Sequence, residues 1–180
     1  MMRTYNTESA IVFNTQQCYL KKALKTVTLD LEQAKRQNFY YGAKLVRGAY
    51  MEQERARAKL LGYKDPINAD YEATSAMYHS VLDECLIRIK ALKDAGEDPQ
   101  KIGIMVASHN ADTVRYAVKR FACLNYFIEN FLSEITDGVL RDSKKSQTIR
   151  DLFGFTLSKL GKLSRSLGDP VRIPRVLQPD

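Results

Sequence analysis

The sequence predicts an α/β fold with parallel strands, and three observations carry that reading. Short apolar or β-branched runs of strand length occur at residues 10–14, 43–46 and 102–107. Each is followed by a helix-forming stretch, with an apolar helical period after the first and third runs and a charged run from Glu52 to Leu61 after the second. Each run also ends in polar residues: Thr15-Gln16-Gln17, Arg47-Gly48 and Ser108-His109-Asn110. Repeated strand–helix units join parallel strands through right-handed crossovers, and ligand sites of such folds sit at the C-terminal strand ends. After residue 107 the alternation stops.

The first strand, residues 10–14, is built from Ala10, Ile11, Val12 and Phe13. Leu20, Leu24, Val27, Leu31 and Ala34 then fall on one face of a helix, with lysines, Asp30 and Glu32 opposite. The second strand, residues 43–46, breaks at Gly48, and a charged helix runs from Glu52 to Leu61 and closes at Gly62. Pro66 makes the following stretch a loop, because it biases Asp65 away from helical geometry. A long helix over about residues 70–95 places Met77, Val81, Cys85, Ile89 and Leu92 on its buried stripe. Asn110 is an N-cap for a last helix carrying Val114, Val118 and Phe121. Residues 122–165 read as further helix, and the tail from Gly168, with Pro170, Pro174 and Pro179, as irregular.

Composition bounds the function classes. The 180 residues suit one domain or part of a larger one, and 44% hydrophobic content excludes a disordered chain. Net charge is +7, yet the cations are spread along helices among acidic neighbours and no groove-reading motif accompanies them, so nucleic acid is not the expected partner. Cys18, Cys85 and Cys123 lie far apart, without metal-ligand or disulfide spacing, and read as reduced thiols in or near a core. No metal site is expected. No apolar run is long enough to span a bilayer, and no transit peptide is visible.

The stretch Lys44-Leu45-Val46-Arg47-Gly48-Ala49-Tyr50 is the most informative in the chain: an apolar strand that carries cations and opens through a glycine turn into a helix. In order with it stand Asn14-Thr15-Gln16-Gln17-Cys18-Tyr19-Leu20, Asp65-Pro66-Ile67-Asn68, Tyr71-Glu72-Ala73-Thr74 and Val106-Ala107-Ser108-His109-Asn110. Over about residues 10–121 this series closely resembles proline dehydrogenase of the animal mitochondrial type.

The resemblance implies an incomplete (β/α)₈ TIM-type barrel over residues 1–121, with about three central parallel strands, followed by a divergent, mainly helical segment over 122–180. It implies FAD as cofactor, L-proline as substrate, Δ¹-pyrroline-5-carboxylate as product and a quinone as electron acceptor. It also implies a mitochondrial setting with peripheral inner-membrane association. Carried over by motif, Gln17 hydrogen-bonds the flavin ring and Lys44 stands near its N5. Val46, Arg47, Gly48 and Ala49 run beside the cofactor, Ser108 and His109 contact the flavin and its ribityl–phosphate side, and Tyr50 lines the proline pocket. His79 is read as structural, and Glu52 and Glu54 as serving a helix N-terminus.

Two features of the family are missing. Its early strands, which bring a lysine and an aspartate to the site, would precede Met1, and its Arg-Arg-x-x-Glu-Asn motif, which grips the substrate carboxylate, has no counterpart because no Arg-Arg pair occurs. The expectation is a fragment, an altered splice product or the product of a degraded gene, binding FAD weakly or not at all and not turning over proline. The alternatives are the hydroxyproline dehydrogenase paralogue and a non-catalytic truncated homologue.

Overall fold

The computed structural model of the chain describes residues 1–123, apart from Ala49. The helices and irregular tail expected beyond residue 123 lie outside the described residues. After a helical turn, α1 (Met2–Tyr5), the order is β1 (Asn14–Gln17), α2 (Ala23–Gln37), β2 (Tyr41–Val46), α3 (Met51–Leu61), α4 (Tyr71–Asp94), β3 (Ile102–Val106) and α5 (Ala111–Cys123). The strands form one parallel sheet in the order β1-β2-β3.

Register sorts the side chains onto two faces, because alternate residues of a strand point to opposite sides. Gln16, Leu45 and Val106 share one face, as do Tyr41 with Ile102 and Ala43 with Ile104. That face is covered: α2 packs on β1 and β2, α4 packs on β2 and β3, and α4 also meets α2 and α5. Tyr41, Ala43 and Leu45 are fully or almost fully buried there against Val27, Leu31, Leu82 and Leu86 of the helical layer. Among the described residues the helices that pack on the sheet, α2 and α4, lie on one face and consecutive strands are adjacent, the winding of a barrel wall rather than of a doubly wound sheet.

The other face carries Thr15, Lys44 and Met105 in one row and Gln17 with Val46 in the next. Below them Gly42 pairs with Gly103, and Phe13 fills the space that two side chains would have taken. A Cβ on Gly42 would lie 2.5 Å from the Val12 carbonyl and 3.1 Å from Phe13 Cγ; one on Gly103 would lie 2.8 Å from Ala10 Cβ. This accounts for the main departure from expectation. Residues 10–14 do not form the first strand; β1 starts at Asn14, and Ala10–Phe13 is spent plugging the sheet beneath the glycine pair.

Asn6 holds that plug. It is fully buried, and its side chain uses its whole hydrogen-bonding capacity. Nδ2 donates to the Val12 and Tyr40 carbonyls at 2.8 and 2.9 Å, while Oδ1 accepts from the Ile11 and Val12 amides at 3.1 and 2.7 Å.

The helices follow the expected order with shifted faces. α2 begins at Ala23 rather than Leu20, which instead forms an antiparallel bridge with Ile67. In α4 the buried stripe runs Thr74, Tyr78, Val81, Leu82, Cys85, Leu86 and Ile89; Met77 and Leu92 are only half-buried. The stripe is broad because α4 meets two helices and two strands at once. Asn110 caps α5, accepting at Oδ1 from the Asp112 and Thr113 amides at 2.9 and 3.1 Å. Val114, Val118 and Phe121 are buried as expected. Cys18 and Cys85 are buried free thiols, both pushed up to about 12 by desolvation.

His79 is structural in its packing. Its ring stacks on Tyr116 at 4.0 Å, and its buried Nε2 has no partner among the described residues. Burial holds its imidazolium below the ordinary range; Asp83 opposes that shift and Arg47 reinforces it.

Two outcomes follow. Asn6→Ala orphans backbone groups of the plug and of β2's approach, and it should lower unfolding free energy by about 2–4 kcal/mol in denaturant titration. For His79 the depressed folded value means that the unfolded chain binds the proton first, so this contribution is present above about pH 6.5 and lost as pH falls. Melting temperature should therefore drop less for His79→Phe than for the unsubstituted chain between about pH 7.5 and 5.5; parallel curves would contradict the assignment.

Candidate functional site

The C-terminal ends of the three strands form one rim, and hydrogen bonds beyond the strands tie it together. The Cys18 and Tyr19 amides extend the β1–β2 ladder to the Val46 and Arg47 carbonyls, each at 2.9 Å. Asn68, from the loop before α4, donates its side chain to the Cys18 carbonyl at 3.0 Å and its amide to the Tyr19 carbonyl at 2.8 Å. The Tyr78 hydroxyl, fully buried, donates to the Leu45 carbonyl at 2.9 Å and lies 3.4 Å from the Ala107 carbonyl. The rim is thus braced from the helical layer on the side away from any ligand.

The structure brings Gln17, Val46 and Gly48 together and sets Lys44 on the same face one row below. Gln17 Oε1 is buried without a hydrogen-bond partner among the described residues. A buried amide oxygen left unbonded costs free energy, so this orientation favours a ligand N–H. Gly48 has φ +112, and a Cβ there would fall 1.6 Å from Tyr19 Cδ1 and 2.8 Å from Gln17 Oε1. Only glycine fits this turn, and its bare backbone leaves the approach to Gln17 open. Lys44 is half-buried and makes no ion pair among the described residues. An unsatisfied acceptor beside a free cation suits a flat polar ligand that offers a donor and carries or gains negative charge.

The remaining described residues of the expected set are bonded elsewhere or exposed. Arg47 turns to α4, where Nη1 donates to Ser75 Oγ at 3.0 Å and Nη2 to the Tyr71 carbonyl at 3.1 Å, with the guanidinium 4.2 Å over the Tyr71 ring. Its charge is held at the rim by α4, not left free beside Gln17. Ser108 follows β3, and its Oγ accepts from the Asn110 amide at 3.1 Å. His109 is exposed, and so is Tyr50, which precedes α3. Ala49 lies outside the described residues.

Sequence reasoning gave no role to Tyr71, Tyr78 or Asn68, although Tyr71 and Asn68 lie in the motifs quoted above. Aromatic residues at the start and within the second turn of a long helix read as packing, and their hydrogen bonds to other loops have no local signal. Among the described residues, no group of three histidine, cysteine or acidic side chains gathers to hold a metal. Gly48→Ala should destabilise the chain by about 2–4 kcal/mol, read as a fall in urea midpoint, since either Tyr19 must leave its site or the turn must be rebuilt.

A family profile described as proline dehydrogenase matches residues 1–132, beyond the stretch that carries the motifs. Proline dehydrogenase 1, mitochondrial, of Drosophila melanogaster is 67% identical over 120 residues, covering 67% of this chain and 18% of the relative. The hydroxyproline dehydrogenase of Xenopus laevis is 43% identical over 122 residues, covering 68% of this chain and 25% of its own length. The chain therefore spans a quarter or less of these relatives. Among solved structures, proline utilization A from Bdellovibrio bacteriovorus, crystallised after inactivation by N-propargylglycine, matches with a TM-score of 0.57 and 24% identity. That likeness covers 66% of this chain and 11% of the other, and it supports the fold. A parallel wall wound on one face, an open glycine turn beside an unsatisfied glutamine, and a family match over most of the chain agree: the chain belongs to the proline dehydrogenase family.

Proposed function

We propose that this chain supplies one FAD-facing sector of a (β/α)₈ barrel that oxidises L-proline to Δ¹-pyrroline-5-carboxylate. The observation that carries the reading is that Gln17 and Lys44 share the sheet face opposite the helices, with Gln17 Oε1 unsatisfied among the described residues and Gly48 keeping the approach clear.

The residues present fit an isoalloxazine ring. FAD, held by these residues, would supply hydride-accepting chemistry for oxidation of the proline ring and a path for the electrons to a quinone. Gln17 accepts a ring N–H, which satisfies its own buried oxygen. Lys44 places fixed positive charge where the transferred electron pair accumulates, in a site of lower dielectric than water. Val46 and Gly48 offer surface and bare backbone against the ring. Ser108 and His109, at the end of the neighbouring strand, serve the ribityl–phosphate side, and Tyr50 borders the substrate. Because Arg47 is engaged by α4, its part is to hold the turn rather than to neutralise the cofactor.

The proline substrate is favoured over hydroxyproline by the higher identity to the Drosophila proline dehydrogenase, 67% against 43% for the Xenopus hydroxyproline enzyme. The mitochondrial naming of relatives supports that organelle as the setting of the proposed activity, and a peripheral inner-membrane contact, to reach the quinone, is proposed with it. Residues 122–180 are proposed as a segment whose sequence diverges from the family, with the family match itself ending at residue 132.

FAD titrated into the 180-residue chain should quench weakly but saturably, and Lys44→Met and Gln17→Leu should each weaken it about tenfold, roughly 1.4 kcal/mol. Equal affinity in both variants and the unsubstituted chain would overturn the placement. Proline-dependent dye reduction is not expected from these residues alone, which contain no Arg-Arg pair for the substrate carboxylate.

A further inference from the structure

We propose that Tyr71 is a positioning residue that locks the turn after β2 and the turn after β3 to each other; its consequence for FAD rests on the function proposed above. Tyr71 opens α4, directly after the N-cap Asp70, whose Oδ1 accepts from the Ala73 amide at 2.7 Å. A large aromatic at a helix start with 58% of its surface exposed is not there for burial. Its interactions are directed instead. The ring lies under the Arg47 guanidinium at 4.2 Å, and its carbonyl accepts from Arg47 Nη2 at 3.1 Å. Its hydroxyl accepts a hydrogen bond from Asn110 Nδ2.

Each neighbour is itself fixed to a rim turn. Arg47 is the first residue past β2 and precedes Gly48, and its Nη1 reaches Ser75 one helical turn along α4. Asn110 caps α5 through Oδ1 and donates its amide to Ser108 Oγ at 3.1 Å, so His109 is held between two constrained residues. The Tyr71 hydroxyl uses the donor side of an amide whose acceptor side is already committed to the helix cap. That sets the rotation of the Asn110 side chain, and with it the path of residues 108–110. One stiff side chain, with only two side-chain torsions, therefore couples the Arg47–Gly48 turn to the Ser108–Asn110 turn through contacts 24 and 39 residues away along the chain.

Tyr71→Phe and Tyr71→Leu separate the two arms. Phenylalanine keeps the ring under Arg47 and loses the bond from Asn110; leucine loses both. In hydrogen-exchange mass spectrometry of the full 180-residue chain, the phenylalanine variant should exchange faster over 108–111 alone. The leucine variant should exchange faster over 108–111 and 47–50, with the strands unchanged in both. FAD affinity should fall about threefold in the first and about tenfold in the second, while melting temperature stays close to that of the parent, which a merely structural residue would not allow. Unchanged exchange in both turns overturns the coupling, whether or not FAD binds. A parent chain that fails to bind FAD defeats the functional reading, and the exchange data still decide the role of Tyr71. Should the leucine variant not fold, the phenylalanine variant still decides between a directed hydroxyl and a passive ring.

Discussion

The residue-for-residue parallel pairing of Asn14–Gln17 with Ala43–Val46 is the constraint on which the molecule depends. Alternation along a strand has a period of two, so one step of slip would exchange the faces. Lys44 would then meet the apolar helical layer and Leu45 the open side. Burying an unpaired ammonium against Leu82 and Leu86 is far costlier than covering it loosely at the rim. The same register sets Gly42 opposite Gly103, and this pair admits Phe13 from below. Hydrophobic burial on one face and a steric gap on the other thus select a single alignment.

Around that alignment, polar bonds do what apolar packing cannot. Apolar contacts hold layers together without choosing loop conformations. Loops here are chosen by side chains that reach backbone groups far along the chain: Asn6 to the Val12 and Tyr40 carbonyls, Asn68 to Cys18, Tyr78 to Leu45. Each is buried, so each bond is made at low cost from competing water. The result is a rim whose backbone is fixed from behind, leaving the front face for chemistry. Among the described residues Gln17 Oε1 is a buried polar atom of that front face left unsatisfied, a pattern expected where a ligand completes the bonding.

Charge is distributed by the same division of labour. Ion pairs on the helical side, Arg88 with Glu32 and Arg120 with Asp83, join α4 to α2 and α5, and Glu84 pairs with Arg88 from one turn earlier in α4. At the rim, Arg47 is drawn onto Tyr71 and Ser75, and Lys44 keeps its charge free of ion pairs among the described residues. Two cations three residues apart in one motif therefore differ in kind. One fastens a turn; the other offers a field to whatever lies on the sheet.

What the sequence by itself determined was the parallel α/β architecture, the order of its elements, the family, and the identity of the motif that crosses the rim. Those rest on local periods and on short runs whose chemistry survives without knowing their neighbours, as with the Asn110 cap and the Val114, Val118 and Phe121 stripe. Tertiary structure alone decided that residues 10–13 are a plug and not a strand, because an apolar, β-branched run suits either role until Gly42 and Gly103 are seen to make room for it. It likewise decided the face of α4, where Tyr78 displaced Met77, and the separation of Arg47 from Lys44. Each of these turns on partners distant in sequence, and a long-range hydrogen bond leaves no mark on the local pattern of either residue that makes it.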